Sequence, residues 1–323
     1  MQRSLIVSGI TLKILITGAA GNLGSILARH LIAQNIGPLR LMVFRRDVPD
    51  DLKVPRRTEI VLADLGKRET LAAAVEGIDV IVHFAGVLFK AIPERFLPTT
   101  NTEYFRNLID VAKEHHVAKI ILISFPHVEG PTSFECPARG RLDGNPISWH
   151  ARTRLEEEKY LFANVPTPIS LRVGMVYGRG ILMIDAARWL AKRRLLGVWP
   201  QPTQIHLISR EDFCSACNAA IANERASGIY HVGDEGRITL QEFLALACRQ
   251  WGTAPPRLMP LPLIYAAARF CELYSELTGS ASPLTRDFID IGRVSYYGDT
   301  SRTRAELLPS LKYRTIHEGV TTL

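Results

Sequence analysis

Between Thr17 and Ser25 the chain reads Gly18-Ala-Ala-Gly21-Asn-Leu-Gly24. An apolar run suited to a strand, Lys13–Thr17, precedes it. A helical pattern, Asn22–Ala33, follows, with Leu23, Ile26, Leu27 and Leu31 on one stripe. Three glycines at this spacing leave little freedom. Gly18 permits a tight turn, Gly21 lets the backbone approach a bound group, and Gly24 lets the helix pack close to its strand. The amides of Asn22 and Leu23 open that helix, whose positive end attracts an anion. The turn predicts a parallel α/β sheet with a dinucleotide pyrophosphate at its first crossover.

The rest of the first half agrees. Strand-like runs at Leu39–Phe44, Thr58–Leu62, Asp79–Phe84, Lys119–Ser124 and Ile169–Val173 alternate with helical patterns at Arg68–Val75, Thr102–His115 and Thr153–Phe162. Near-continuous apolar runs suit strands covered on both faces, so a doubly wound parallel Rossmann sheet is expected. After Val173 the rhythm breaks and Pro and Gly become frequent. Residues 1–173 are read as the dinucleotide-binding domain. Residues 174–323 are read as a smaller, irregular substrate-binding part, with segments near 206–232 (a helix Arg210–Ala222, a strand Gly228–Val232) returning to the sheet. The apolar fraction of 47% and charged fraction of 22% exclude disordered, collagen-like and coiled-coil classes. The formal charge of +7 suits anionic partners. Lys and Arg are scattered rather than blocked, so nucleic acid is not expected.

These motifs resemble the short-chain dehydrogenase/reductase superfamily, and its extended, NAD(P)-dependent epimerase/dehydratase family in particular. The spacing is GxxGxxG. Asp64-Leu65 looks like the pair that contacts adenine, and His83-Phe84-Ala85-Gly86 like the segment passing the adenine ribose. Asn101 stands where relatives carry a supporting Asn. Leu171-Arg172 to Val176-Tyr177-Gly178 resembles the R-P-x-x-V-Y-G turn with Val173 for Pro, and Arg179 just beyond it is assigned to substrate. Tyr296 to Leu307, then Glu318-Gly319, resembles the closing segment. The resemblance implies a nicotinamide cofactor, hydride exchange at a hydroxyl or keto carbon of a sugar nucleotide or apolar alcohol or ketone, and a possible homodimer through the helices at 102–115 and 153–162. At the end of the second strand, where an NAD site usually has a carboxylate, stand Arg45 and Arg46. An arginine there suits a 2′-phosphate, so NADP(H) is expected over NAD(H).

The family's Ser, Tyr and Lys are replaced. Aligned on the fifth strand and Gly130, the serine position falls on Phe125, with Ser124 one residue earlier and facing the opposite side of the strand. The YxxxK helix carries His150 and Arg154 instead. Arg154 could hold the cofactor ribose, and His150 could move the proton, since histidine titrates near working pH. A neighbouring Arg154 would favour the neutral ring. His127 and Glu129, beyond the fifth strand, are further acid–base candidates, with Phe125 and His127 also facing substrate. Two classes remain open: an oxidoreductase with an altered site, and a non-catalytic NADP(H)-binding sensor, regulatory or assembly protein.

Other features carry less. Cys214 and Cys217 have CxxC spacing inside a helical pattern, with no second ligand pair, so core packing is expected and no metal. Glu156-Glu157-Glu158-Lys159 reads as a solvated helix face. Ala191-Lys192-Arg193-Arg194-Leu195 is a small basic cluster. No apolar run nears the ~18 residues of a membrane span. The N-terminus lacks a small-residue cleavage site, so it is not read as a signal peptide, and a cytoplasmic, reducing location is expected. Leu263–Leu277 reads as an apolar lid helix. It could rest on a membrane, but its polar face (Arg269, Glu272, Glu276) is poor in cations. Pro283 to Arg286 resembles relatives acting on apolar alcohols and ketones.

Overall fold

The computed structural model describes residues 12–87, 90–279, 282 and 284–323. The N-terminal segment judged for a signal peptide and Pro283 lie largely or wholly outside these. Six strands, β1 (Ile14–Thr17), β2 (Leu39–Val43), β3 (Thr58–Leu62), β4 (Val80–His83), β5 (Lys119–Ser124) and β6 (Thr167–Val173), join the strand Gly228–Val232 in one seven-stranded sheet. The order is Gly228–Val232, β6, β5, β4, β1, β2, β3, and every pairing is parallel. The direction of winding reverses between β1 and β4, so a crevice opens at their C-terminal ends, where α/β sheets bind ligands.

Helices α1 (Asn22–Ala33), α2 (Arg68–Val75), α3 (Tyr104–Glu114) and α4 (Trp149–Asn164) form the crossovers. Side chains alternate along β1. Ile14 and Ile16 meet Leu27 and Leu31 of α1 in one core. Leu15 joins Leu71, Phe105 and Leu108 on the opposite face. β3 departs from expectation. It is an edge strand with one neighbour, β2, so much of it reaches water and Leu62 is 71% exposed, while Val61 still packs against the α2 side. α4 starts at Trp149, four residues before the helix read from the sequence, because Ser148 caps it by accepting from the Ala151 amide. A π-turn at Pro98–Glu103 leads into α3.

In the second half, β7 (Met175–Tyr177) pairs with Leu207–Ser209. Helices α5 (Leu182–Lys192), α6 (Arg210–Ala222), α7 (Leu240–Gln250), α8 (Leu261–Thr278) and α9 (Arg286–Gly292) follow, with two short helices, Ser301–Glu306 and Ile316–Gly319, after them. Cys214 and Cys217 sit buried in α6, where burial pushes the Cys214 thiol up to about 12. Among the described residues no helix is long and apolar enough to cross a membrane.

Candidate cofactor and catalytic site

The glycine loop follows β1 at the crevice. Gly18 has φ +68°, and a Cβ there would lie 2.9 Å from the Ala85 amide nitrogen. Its carbonyl accepts from the Gly21 amide at 2.8 Å. A Cβ on Gly24 would press into that same carbonyl, 3.0 Å from its carbon. No side chain caps α1, so its positive end is left for an external anion. The Asn22 side chain is committed elsewhere. It donates to the Gly180 carbonyl at 2.7 Å and accepts from the Leu182 amide at 2.9 Å, fastening the loop to the start of α5. Leu23 is half-buried against the α1 core.

The flanking segments converge on this loop. The Ala85 amide reaches the Thr17 hydroxyl at 3.4 Å, and the Phe84 ring packs edge-on to Phe213. Asp64 accepts from the Gly66 amide at 2.9 Å, and the Leu65 carbonyl accepts from Asn107. Arg45 lies exposed beside the Phe44 ring. Asp47, the nearest carboxylate in sequence, is taken by Lys53 at 2.7 Å, so among the described residues Arg45 has no ion pair.

A polar wall stands over Gly86. A Cβ there would be 3.5 Å from Arg154 Nη2 and 4.0 Å from Asn101 Oδ1. Asn101 Oδ1 is buried with no hydrogen-bond partner, while its Nδ2 donates to Thr153. Arg154 Nη1 donates to Glu157 Oε2 at 2.5 Å. Glu157 is fully buried, and burial pushes its carboxyl up to about 7 against the pull of Arg154. The solvated face expected at 156–159 is therefore corrected. Glu157 and Glu158 are buried, and only Glu156 and Lys159 reach water. The reason is the cations they meet. Glu158 accepts from Ser124, Ser170 and Arg172, and Arg172 also binds Glu129 and the Arg141 carbonyl.

His150 sits at the first turn of α4. Its Nδ1 is 2.5 Å from Asp287 Oδ2, and its Nε2 is 3.1 Å from the Val87 carbonyl. Both partners accept, so the ring makes both bonds only when it carries both protons. Asp287 also takes the Trp149 amide at 2.7 Å. The sequence pattern placed Arg154 as the influence on this ring. In the structure Arg154 turns to Glu157, and a carboxylate from α9 faces His150. Asp287 is 137 positions away, with no spacing signal to reveal it.

The remaining candidates lie apart from that pair. The Ser124 hydroxyl donates to Glu158 Oε1 at 2.6 Å, inside the sheet–helix contact. Phe125 follows β5, half-buried, with its ring 5.6 Å from His127. His127 is buried against Tyr296 at 4.1 Å, and burial pushes it down to about 3, a neutral ring. Arg179 is exposed; its backbone amide binds the Thr322 carbonyl, and its neighbour Gly180 touches Asn22. It stands near the glycine loop.

Known proteins agree with the fold. A family model described as NAD(P)H-binding matches residues 18–155. A 3-diazoavenalumate denitrifying reductase from Streptomyces sp is 27% identical over 78% of this chain and 86% of its own length. A ceramide reductase from Caulobacter vibrioides is 28% identical over 83% of this chain and 80% of its own. Among solved structures, the UDP-glucuronic acid 4-epimerase from Bacillus cereus in complex with NAD is 17% identical, with a TM-score of 0.72 over 96% of this chain and 97% of that one. The DesIV double mutant (dTDP-glucose 4,6-dehydratase) from Streptomyces venezuelae, with NAD bound, gives 16% identity and a TM-score of 0.76 over 96% and 95%. Residues 18–155, from the glycine loop to the middle of α4, thus match an NAD(P)H-binding domain, and over nearly its whole length the chain has the fold of NAD-binding epimerase/dehydratase structures.

Proposed function

We propose that the chain is an NADP(H)-dependent oxidoreductase acting on a hydroxyl or keto carbon of a small molecule, with His150 and Asp287 in place of the usual tyrosine. The observation that carries this reading is the His150–Asp287 pair at 2.5 Å, set beside the Gly86 segment. The residues present fit the cofactor. The glycine cradle would be filled by a Cβ at Gly18 or Gly24, and α1 has an uncapped positive end. Asn101 Oδ1 is an orphaned acceptor beside the route of the cofactor.

When bound, the nicotinamide supplies or accepts hydride at the substrate carbon. The chain does the rest. The amides of Asn22 and Leu23 hold the pyrophosphate, and Asp64 and Leu65 meet the adenine. Arg45 meets the 2′-phosphate, since neither Asp47 nor Asp51 is free to bind it. Arg154 presents its guanidinium to the nicotinamide ribose while Glu157 holds it in place. In the reductive direction His150 Nε2 gives its proton to the substrate oxygen, and Asp287 stabilises the charged ring beforehand. Phe125 excludes water from the reacting carbon. Residues from 174 onward form the substrate-binding part.

A second reading, a cofactor-binding protein without turnover, is favoured by one observation. Phe125 occupies the serine position, and the Ser124 hydroxyl is spent on Glu158. The two readings separate by following NADPH absorbance with a panel of sugar-nucleotide and apolar ketones. An active enzyme loses on the order of 10²–10⁴-fold in kcat on His150→Ala. Tight NADPH binding with no turnover of any ketone, unchanged in His150→Ala, overturns the catalytic reading.

A further inference from the structure

Helix α8 presents its apolar stripe outward. Leu263, Phe270, Leu273, Tyr274 and Leu277 recur at helical spacing and are all exposed, Leu277 at 86% and Phe270 at 71%. The opposite face, Ala268, Glu272 and Ser275, is the buried one. Leu261, Ile264 and Tyr265 pack against the core, so the outward stripe is apolar surface beyond what the helix buries. The helix therefore offers a continuous apolar ridge, three to four turns long, to whatever lies outside.

Its surroundings are cationic. The turn after α5 carries exposed Lys192, Arg193 and Arg194, followed by exposed Leu195. The Arg257 amide binds the Leu196 carbonyl at 2.9 Å, which sets this turn beside exposed Arg257 and Leu258, just ahead of α8. Trp189, half-exposed, stacks under Arg193 at 3.9 Å. Neither 186–200 nor 253–271 contains an Asp or Glu. The acids of α8 do not oppose these cations. Glu272 is buried and held by Arg286 at 2.7 Å, and Glu276 is paired with Arg95 at 3.8 Å. The polar face that looked poor in cations is thus neutralised, and the cations come from neighbouring segments.

We infer that this face docks the protein onto an anionic lipid bilayer, with α8 lying in the interface plane. Apolar side chains, an amphipathic tryptophan and unopposed Lys and Arg are what such a surface takes up. Arg95 pairs with Glu276 of α8, and α9, which carries Asp287, packs against α8. Docking would place the crevice close to the membrane. The inference rests on surface chemistry alone and stands whether or not His150 is catalytic.

The test is co-sedimentation of the full chain with vesicles of equal parts phosphatidylglycerol and phosphatidylcholine, against pure phosphatidylcholine. The wild type pellets with the mixed vesicles, less at high salt. Phe270→Asp/Leu277→Asp and, separately, Lys192→Glu/Arg194→Glu each weaken binding by roughly tenfold or more, with unchanged melting temperature. All four side chains are exposed, so folding does not depend on them. The inference is overturned if the wild type stays in the supernatant or if both variants bind like it. It is equally overturned if ultracentrifugation shows a vesicle-independent dimer that Phe270→Asp/Leu277→Asp dissociates, since the ridge would then belong to a second copy.

Discussion

Gly24→Ala is the sharpest probe of the glycine loop. The new Cβ would sit 3.0 Å from the Gly18 carbonyl carbon and closer still to its oxygen. Carbon atoms at rest stay about 3.5–4.0 Å apart, so the start of α1 must retreat by at least about 0.5 Å. Gly18 cannot yield instead. It is pinned at φ +68° with the Ala85 amide behind it, and its carbonyl holds the Gly21 amide at 2.8 Å. Overpacking of this kind costs about 1–3 kcal/mol of stability. Drawing the Asn22 and Leu23 amides off the pyrophosphate loses at least one charged hydrogen bond, worth about 1.5–3 kcal/mol, or roughly 10- to 150-fold in Kd. Titration calorimetry with NADPH reads the affinity, and thermal unfolding reads the stability. Gly77→Ala is the control. It also has positive φ, at +65°, but nothing within 4 Å of the added carbon, so it lowers stability and leaves Kd alone. If folded Gly24→Ala binds NADPH within about threefold of wild type, the loop does not hold the pyrophosphate and the reasoning fails.

Three further outcomes follow from the same geometry. Asp287→Asn keeps the shape but removes the charge facing His150 and the start of α4. Urea unfolding should show a loss of about 2–4 kcal/mol, and kcat should fall more than cofactor affinity; equal stability would refute the charged pair. Arg45→Ala should weaken NADPH on the order of tenfold while sparing NADH, measured by fluorescence titration; equal loss for both cofactors rejects the 2′-phosphate contact. Glu157 carries a pH signature. Burial raises its carboxyl from 4.5 to about 7 in the folded chain. The folded state then holds a proton that the unfolded state has released, so stability falls as pH climbs from 4.5 to about 7. Glu157→Gln should flatten that part of the melting-temperature profile, and an unchanged slope would show that Glu157 is ionised throughout.

What could be read from the sequence followed from periodicity. Thr58–Leu62, Lys119–Ser124 and Gly228–Val232 match their strands residue for residue, because apolar runs bounded by turn residues carry their own limits. The glycine loop was legible because its steric requirement is local. What stayed hidden was set by tertiary contact. Three consecutive glutamates look like a wet helix face until Arg154 and Arg172, from α4 and β6, are seen to bury two of them. Edge exposure of β3 depends on sheet order, which alternation does not encode. Asp287 lies in a short helix of the second half, and nothing in its local pattern marks it as the partner of His150. The apolar composition of α8 was plain, but which side faces outward was decided by Glu272 finding Arg286 within the protein.

The bond from Asp287 to His150 ties two distant stretches of chain into one chemical unit. The imidazole comes from α4 and its counter-ion from α9, so removing α9 would leave the glycine loop and sheet in place but strip His150 of the carboxylate that faces it. Under the proposed reading, a ligand that lifts α9 away from α4 would separate proton transfer from cofactor binding, because the glycine loop makes no contact through Asp287.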